Sequence, residues 1–177
     1  AVEDDGQIIA LYDPLIHQAV EDPVTRDSDQ RWVLCRRPRV VVGGELTIEM
    51  LDLQFNPVTK YYAAPAQLKA TNGVLVVDDL GRQRVRPEEL LNRWVVPLDR
   101  GIDFLTLAGG KKIEIPFDVL VAFATNLDPK DLVDDAFLRR IRHKVQIHAP
   151  ARDVYEKIFG AMCKKLGMTP LPEAIDY

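Results

Sequence analysis

Short runs of hydrophobic residues, separated by polar turns, divide this chain of 177 residues into predicted strands and helices. Residues 74–77 (VLVV) are apolar at every position, which is typical of a strand buried on both faces of a parallel sheet. Residues 117–124 and 144–147 predict two further strands. Helical spacing of apolar residues predicts helices over residues 86–97, 128–140 and 150–166. Because strands and helices alternate, the pattern predicts an α/β fold with a parallel sheet.

Other segments predict strands that pair with near neighbours. Apolar runs predict strands at residues 7–12, 31–37 and 39–44. Residues 50–55 alternate and are followed by the turn-like Asn56-Pro57, so residues 50–63 predict a hairpin. Residues 104–115 predict a second hairpin, with Ala108-Gly109-Gly110 as its turn.

Composition and charge exclude several classes of protein. The chain is 47% hydrophobic and 28% charged, with a net charge of −4, which predicts one soluble globular domain, or one domain plus a small appendage. It lacks an apolar run of the roughly 18 residues that a membrane helix needs, and its acidic start is unlike a signal peptide. The cysteines, Cys35 and Cys163, are far apart, so a cytoplasmic location is expected. The mild acidity also makes nucleic acid an unexpected partner.

Polar side chains follow two of the predicted parallel strands. Asp78 and Asp79 end the first strand, and Asn126 follows the second. Ligands of open α/β sheets bind beyond the carboxyl ends of the strands. One carboxylate could hold a hydrated Mg²⁺ ion, its neighbour could orient or deprotonate water, and the amide could contact both phosphate and water. The alternative is that all three are ordinary turn residues.

Taken together, three motifs resemble those of a known family. The run 72–79 (NGVLVVDD) resembles a Walker B strand, 123–126 (FATN) a sensor-1 strand end, and 134–141 (DDAFLRRI) a segment that carries arginine fingers. Their order and spacing resemble the AAA+ ATPases, especially the MoxR-like and helicase-like branch and predicted bacterial ATPases with chaperone activity. The resemblance covers about residues 65–166.

The resemblance implies a role for each matching residue. It implies that Asp78 binds Mg²⁺ through water and that Asp79 is the catalytic acid, although most members have Glu there. It implies that Asn126 is the sensor-1 residue at the nucleotide. Arg139 and Arg140 are its two candidates for a finger that reaches the nucleotide of a neighbouring subunit. ATP and Mg²⁺ are thus the implied cofactors, and a homo-oligomeric ring, expected to be hexameric, that remodels a protein substrate is the implied assembly.

One motif of the family is absent. The sequence contains no G-x-x-x-x-G-K-[ST], and residues 109–112 (GGKK) lack its spacing. We therefore expect a piece of a longer protein: a parallel-sheet P-loop NTPase (AAA+) core that lacks its P-loop strand and helix. Residues 1–149 are the predicted partial α/β subdomain, with the motifs in 65–149. Residues 150–177 are the predicted start of a helical lid.

Other functions remain open at this point. A degenerate, non-hydrolysing AAA+ domain could serve only as an interaction or assembly surface, and a magnesium-dependent phosphate enzyme could use Asp78 and Asp79 directly. The basic stretch after the Walker B strand could contact nucleic acid or a neighbouring subunit; its members are Arg82, Arg84, Arg86 and Arg93. A reactive Cys35 is the alternative to an inert core thiol. The three histidines lack metal-binding spacing. The hairpins at 50–63 and 104–115 are the expected places for substrate selection.

Overall fold

The computed structural model describes residues 1–4, 6–20, 32–132 and 135–169. The chain divides into two compact units, residues 1–142 and 143–177. The predicted domains, 1–149 and 150–177, stay predictions, because compactness alone does not define a functional domain. Within the described residues, no helix is long and apolar enough to span a bilayer.

Strands and helices of the described residues are numbered in chain order. The strands are β1 (Val2–Asp4), β2 (Gln7–Ala10), β3 (Arg39–Val42), β4 (Gln54–Asn56), β5 (Tyr61–Ala63), β6 (Val74–Val77), β7 (Ile102–Thr106), β8 (Lys112–Pro116) and β9 (Leu120–Phe123). The helices are α1 (Ala66–Lys69), α2 (Pro87–Arg100), α3 (Pro129–Leu132), α4 (Asp135–Leu138) and α5 (Arg152–Lys165).

A parallel sheet of three strands, in the order β3-β6-β9, forms the centre of the first unit. β6 is the middle strand, and its Leu75 and Val77 are fully buried, as the apolar run predicts. Gly73 precedes this strand at a close backbone approach, since a Cβ atom there would lie 2.2 Å from the Pro38 carbonyl oxygen. The predicted α/β class with a parallel sheet is therefore confirmed.

Helix α2 packs its apolar face against this sheet. Pro87 occupies its first turn together with Glu88 and Glu89, a pattern that favours a helix start. Trp94 is fully buried in the main core and lies against Phe123 with ring centroids 5.7 Å apart. The prediction that the helix ends at Pro97 is wrong. The helix continues to Arg100, with Pro97 buried inside it. Proline removes only one hydrogen bond of a helix, and this loss does not end the helix here.

Both predicted hairpins form, beside a second core. β4 and β5 pair antiparallel within the sheet β1-β2-β5-β4, and β7 pairs with β8. The predicted strand over residues 50–53 is wrong, because residues 49–51 form a 3-10 turn that buries Leu51. Tyr62, Leu105 and Ile113 belong to the core that joins the two hairpins.

Three other predicted elements differ in the structure. Residues 32–37 form no strand beyond one bridge from Cys35 to Ala19, and Arg31 lies outside the described residues. Within residues 128–140, the described residues form the short helices α3 and α4, and residues 133–134 lie outside the described residues. Residues 144–147 are irregular, and Val145 is 84% exposed. A strand needs a hydrogen-bonded neighbour, and the described residues offer none to this segment.

The second unit contains α5, which forms close to the predicted range. Ala151 precedes it in an extended conformation. At its other end, Gly167 has a φ of 68°, and Met168 N–H donates to the Cys163 carbonyl at 2.8 Å. This is a Schellman motif, so the predicted glycine stop is confirmed.

Candidate functional site

The carboxyl ends of β6 and β9 bring three of the predicted site residues to one edge of the parallel sheet. Val77 pairs with Phe123 in register, so the chain leaves both strands at the same level. Asp78, Asp79 and Asn126 follow directly and are exposed. The two segments are joined beyond the strands, because Leu80 N–H donates to the Ala124 carbonyl at 2.8 Å. The predicted juxtaposition of these strand ends is therefore present.

The two aspartates are held in a tight turn. Asp79 has a φ of 51°, a left-handed conformation that is uncommon for residues other than glycine. Asp78 Oδ1 accepts a hydrogen bond from Asp79 N–H at 3.0 Å, which fixes the Asp78 carboxylate. Among the described residues, no hydrogen bond or ion pair uses Asp78 Oδ2 or the Asp79 carboxylate. These oxygens are therefore available to water or a ligand.

Gln83 closes the loop that follows the aspartates. This side chain is 9% exposed, its Oε1 accepts from Gly81 N–H at 2.8 Å, and its Nε2 donates to the Asp78 carbonyl at 3.0 Å. Gly81 is required there, since its φ is 101° and a Cβ atom would lie 2.8 Å from methyl groups of Leu127 and Leu132. Sequence analysis missed this role of Gln83, because only the fold shows that the amide spans the loop.

The predicted basic stretch divides into two parts. Arg82, Arg84 and Arg86 are exposed, whereas Arg93 forms an ion pair with Asp103 through two contacts of 2.5 and 3.0 Å. Asp103 is 1% exposed. Arg93 therefore stabilises the fold, and the interpretation of it as part of a contact surface is wrong.

Arg139 and Arg140 lie beside the carboxyl-terminal end of α2. Arg140 Nε donates to Asp99 Oδ2 at 2.8 Å, and Asp99 is twelve residues from the start of α2, about 18 Å along the helix axis. Arg139 is exposed. A pocket of about 410 Å³ lies here, lined by Leu98, Asp99, Arg139, Arg140 and Arg142. The structure thus brings the strand-end residues together and places the arginines elsewhere.

The strand-end carboxylates fit a Mg²⁺ ion that is bound through water. Mg²⁺ usually keeps several waters and takes one or two carboxylates together with substrate phosphates. Within the described residues, no three His, Cys, Asp or Glu side chains converge on one point, so a closed metal cage is absent there. Phosphates would need a second group of ligands, because the sequence holds no P-loop motif.

Two other candidates have structural roles. His17 Nδ1 accepts from Asp13 N–H at 2.9 Å, and its Nε2 donates to the Lys69 carbonyl at 3.0 Å. The Asp13 carboxylate binds Lys69 Nζ at 2.8 Å, and this hydrogen bond, with a second from Leu15 N–H, lowers the pKa of Asp13. Cys35 Sγ donates to the Val33 carbonyl at 3.5 Å, which is a local contact.

Comparison with solved structures places this fold among the AAA+ proteins. NtrX from Brucella abortus superposes with a TM-score of 0.54 and 18% identity over 78% of this chain, and its complex with ADP with 0.51 and 20% over 78%. A complex of subunits BchI and BchD of magnesium chelatase superposes with 0.56 and 16% over 81%. The chain therefore has the mixed α/β fold of the AAA+ P-loop NTPases.

The chain is shorter than the proteins it resembles. It spans 34% and 33% of the two NtrX chains and 44% of the magnesium chelatase chain. No family model and no curated protein sequence matches it.

Proposed function

We propose that this chain is the Walker B and sensor-1 part of an AAA+ ATPase that couples ATP hydrolysis to the remodelling of a protein in a ring oligomer. One observation carries the proposal: Asp78, Asp79 and Asn126 share the carboxyl edge of a parallel sheet in this fold. Two carboxylates and an amide at such an edge are the groups that phosphoryl transfer to water needs from this side of a site.

Each side chain would have a separate task. Asp78 holds the waters of a metal ion, since its Oδ1 is fixed by Asp79 N–H and its Oδ2 has no hydrogen bond among the described residues. Asp79 orients the attacking water and accepts its proton. Asn126 donates to phosphate oxygen and accepts from the same water. The bound Mg²⁺ and ATP would supply the phosphoryl group and the charge that neutralises its oxygens.

The phosphate-binding half of the site would come from a segment outside these 177 residues. Three observations support this. The sequence lacks a P-loop, and among the described residues neither the free edge of β9 nor residues 144–147 pair with a further strand. Leu120 on β9 is 67% exposed, as expected for an edge that another strand would cover.

The positions of the arginines support action between subunits. Arg139 and Arg140 lie beside the carboxyl-terminal end of α2 and line a pocket that Asp78 does not line. In a ring, this end of one subunit would meet the nucleotide of the next. The BchI and BchD complex is an assembly of proteins with this fold. Substrate contacts would fall on the hairpins β4–β5 and β7–β8, which share the second core.

A second candidate function is an AAA+ domain that assembles without hydrolysis. Asp79 favours it, because its side chain is one methylene shorter than the Glu of most family members and its backbone has a left-handed conformation. A carboxylate that does not reach the water would leave nucleotide binding intact and stop turnover.

The test is ATP hydrolysis by the longer protein that carries this chain. Asp78→Ala and Asn126→Ala should abolish magnesium-dependent turnover. Arg139→Ala with Arg140→Ala should lower kcat by about 10³-fold, as loss of an arginine finger does. Mixing the arginine variant with Asp78→Ala subunits should restore part of the activity, since each contributes the half that the other lacks.

The matched control is Asp118→Ala. Asp118 is also exposed, but it precedes β9 and so lies at the opposite edge of the sheet. Its variant should turn over ATP at the wild-type rate. Nucleotide binding without turnover in the wild-type protein would favour the second candidate, and absence of both would contradict the proposal.

A further inference from the structure

Arg139 and Arg140 are adjacent in sequence but differ in what holds them. Both are anchored to α4 through the backbone, since Arg139 N–H donates to the Asp135 carbonyl at 3.2 Å and Arg140 N–H to Phe137 at 2.9 Å. Successive residues of such a turn point about 100° apart, given 3.6 residues per turn. The two side chains therefore leave the backbone in different directions.

Asp99 on α2 binds one member of this pair. Arg140 Nε donates to Asp99 Oδ2 at 2.8 Å, and the side chains are 29% and 43% exposed. An ion pair with this exposure adds little stability, because water screens it. Its main effect is geometric: it joins the end of α4 to α2 across 41 residues of sequence.

Arg139, the other member of the pair, has no such partner among the described residues. No hydrogen bond or ion pair is found for the guanidinium groups of Arg139 and Arg142 within the described residues, and both are exposed. With Arg140, they give the pocket three guanidinium groups. Guanidinium groups bind phosphate oxygens through paired N–H donors, so the pocket suits a polyphosphate.

We infer that Asp99 is a positioning residue, which holds Arg140 so that Arg139, with Arg142 beside it, binds the terminal phosphates of a nucleotide presented by another subunit. The role in hydrolysis rests on the proposed function, whereas the phosphate pocket itself does not. The structure thus separates two arginines that the sequence leaves equivalent.

The pocket is tested first by binding to the longer protein that carries this chain, with inorganic tripolyphosphate as the probe and ¹⁵N-arginine NMR as the readout. We expect the Nε–Hε signals of Arg139 and Arg142 to shift on titration. Arg139→Gln should weaken binding at least tenfold. Asp99→Asn should not weaken binding, because it removes a negative charge from the pocket. Equal binding by wild type and Arg139→Gln would overturn the assignment of Arg139.

The positioning role is tested by ATP hydrolysis in the longer protein. Asp99→Asn and Arg140→Gln should lower kcat at least tenfold with little change in KM, a separation that a loss of pocket charge would not produce. The exchange Asp99→Arg with Arg140→Asp should restore part of kcat, and Asp118→Asn should leave it unchanged. Full activity of Asp99→Asn, or of Arg139→Gln, would overturn the inference.

The two proposals can fail separately. If the wild-type longer protein does not hydrolyse ATP, the proposed function fails. The tripolyphosphate titration then still decides whether Arg139 belongs to an anion site. In Asp99→Asn, the Arg140 Nε–Hε signal should lose its protection from hydrogen exchange, because the contact with residue 99 is broken. Unchanged protection would contradict the positioning role of Asp99.

Discussion

Replacing Arg93 by methionine removes one side of a nearly buried ion pair that joins α2 to β7. Asp103 is 1% exposed and accepts from Arg93 Nη1 at 2.5 Å, from Arg93 Nη2 at 3.0 Å, and from Gln67 and Phe104 at 3.2 and 2.8 Å. Without the guanidinium group, a charged carboxylate stays in the core with two neutral donors.

The magnitude follows from burial. Removing one partner of a buried pair costs about 3–5 kcal/mol, and the low end applies because Arg93 is 22% exposed. We therefore expect the free energy of unfolding to fall by about 3 kcal/mol. At about 2–4 °C per kcal/mol for a chain of this size, Tm should fall by about 6–12 °C. Urea unfolding followed by circular dichroism gives the first value, and a thermal scan the second.

Two further variants make the test specific. Arg84→Met changes an exposed arginine and should alter stability by no more than about 0.5 kcal/mol. The double variant Arg93→Met with Asp103→Asn should be more stable than Arg93→Met alone, because it removes the unpaired buried charge. A loss below about 1 kcal/mol in Arg93→Met, the range of an exposed pair, would refute this reasoning. So would a double variant that is less stable than the single one.

Two other predictions concern the loop and the pH dependence. Gln83→Met keeps the size of the side chain but removes its hydrogen bonds to Gly81 N–H and the Asp78 carbonyl. It should cost about 2 kcal/mol at about 1 kcal/mol per bond, and lower kcat in the longer protein by displacing Asp78. Asp13 has a pKa below its ordinary 3.8, chiefly through Lys69, so its contribution to stability is present above pH 3.8 and is lost as the pH falls through the lower folded value. Asp13→Asn should therefore be less stable than wild type at pH 7, with a difference that shrinks under acid conditions.

Each of these predictions has its own control. For the loop, Gln18→Met alters an exposed glutamine outside both hairpins and should leave both stability and turnover unchanged. A Gln83→Met variant with wild-type kcat would show that the amide does not position Asp78. For the pH dependence, the loss of stability caused by Asp13→Asn at pH 7, relative to its value in acid, should be smaller in a protein that also carries Lys69→Met. A difference that is constant with pH would contradict the linkage to Asp13.

Several features of the fold could be predicted from the sequence because they depend on near neighbours. Residues 74–77 are apolar throughout, and they form the central strand. Pro87 and Gly167 mark a helix start and a helix end through their own backbone preferences. The two hairpins follow from alternating residues around short turns. Once two strands are known to be parallel and adjacent, their ends lie at one edge, which is why Asp78 and Asn126 could be placed together.

Other features depended on contacts between distant parts of the chain. Arg93 and Arg84 look alike in sequence, but only Arg93 meets a buried carboxylate. Residues 144–147 have the composition of a strand and still form none, because a strand needs a partner and composition does not supply it.

By itself, the sequence determined the parallel α/β class and the polar residues that end its strands. Burial and backbone hydrogen bonding produce a local periodic pattern of apolar residues, and this pattern can be read from the sequence. Only the tertiary structure decided that Gln83 closes the Asp78 loop and that Asp99 binds Arg140 and not Arg139. Asp99 and Arg140 are 41 residues apart. No local pattern predicts which of two adjacent arginines will contact a carboxylate on another helix. That choice is made by the packing of α4 against the core, which sets the direction of each side chain.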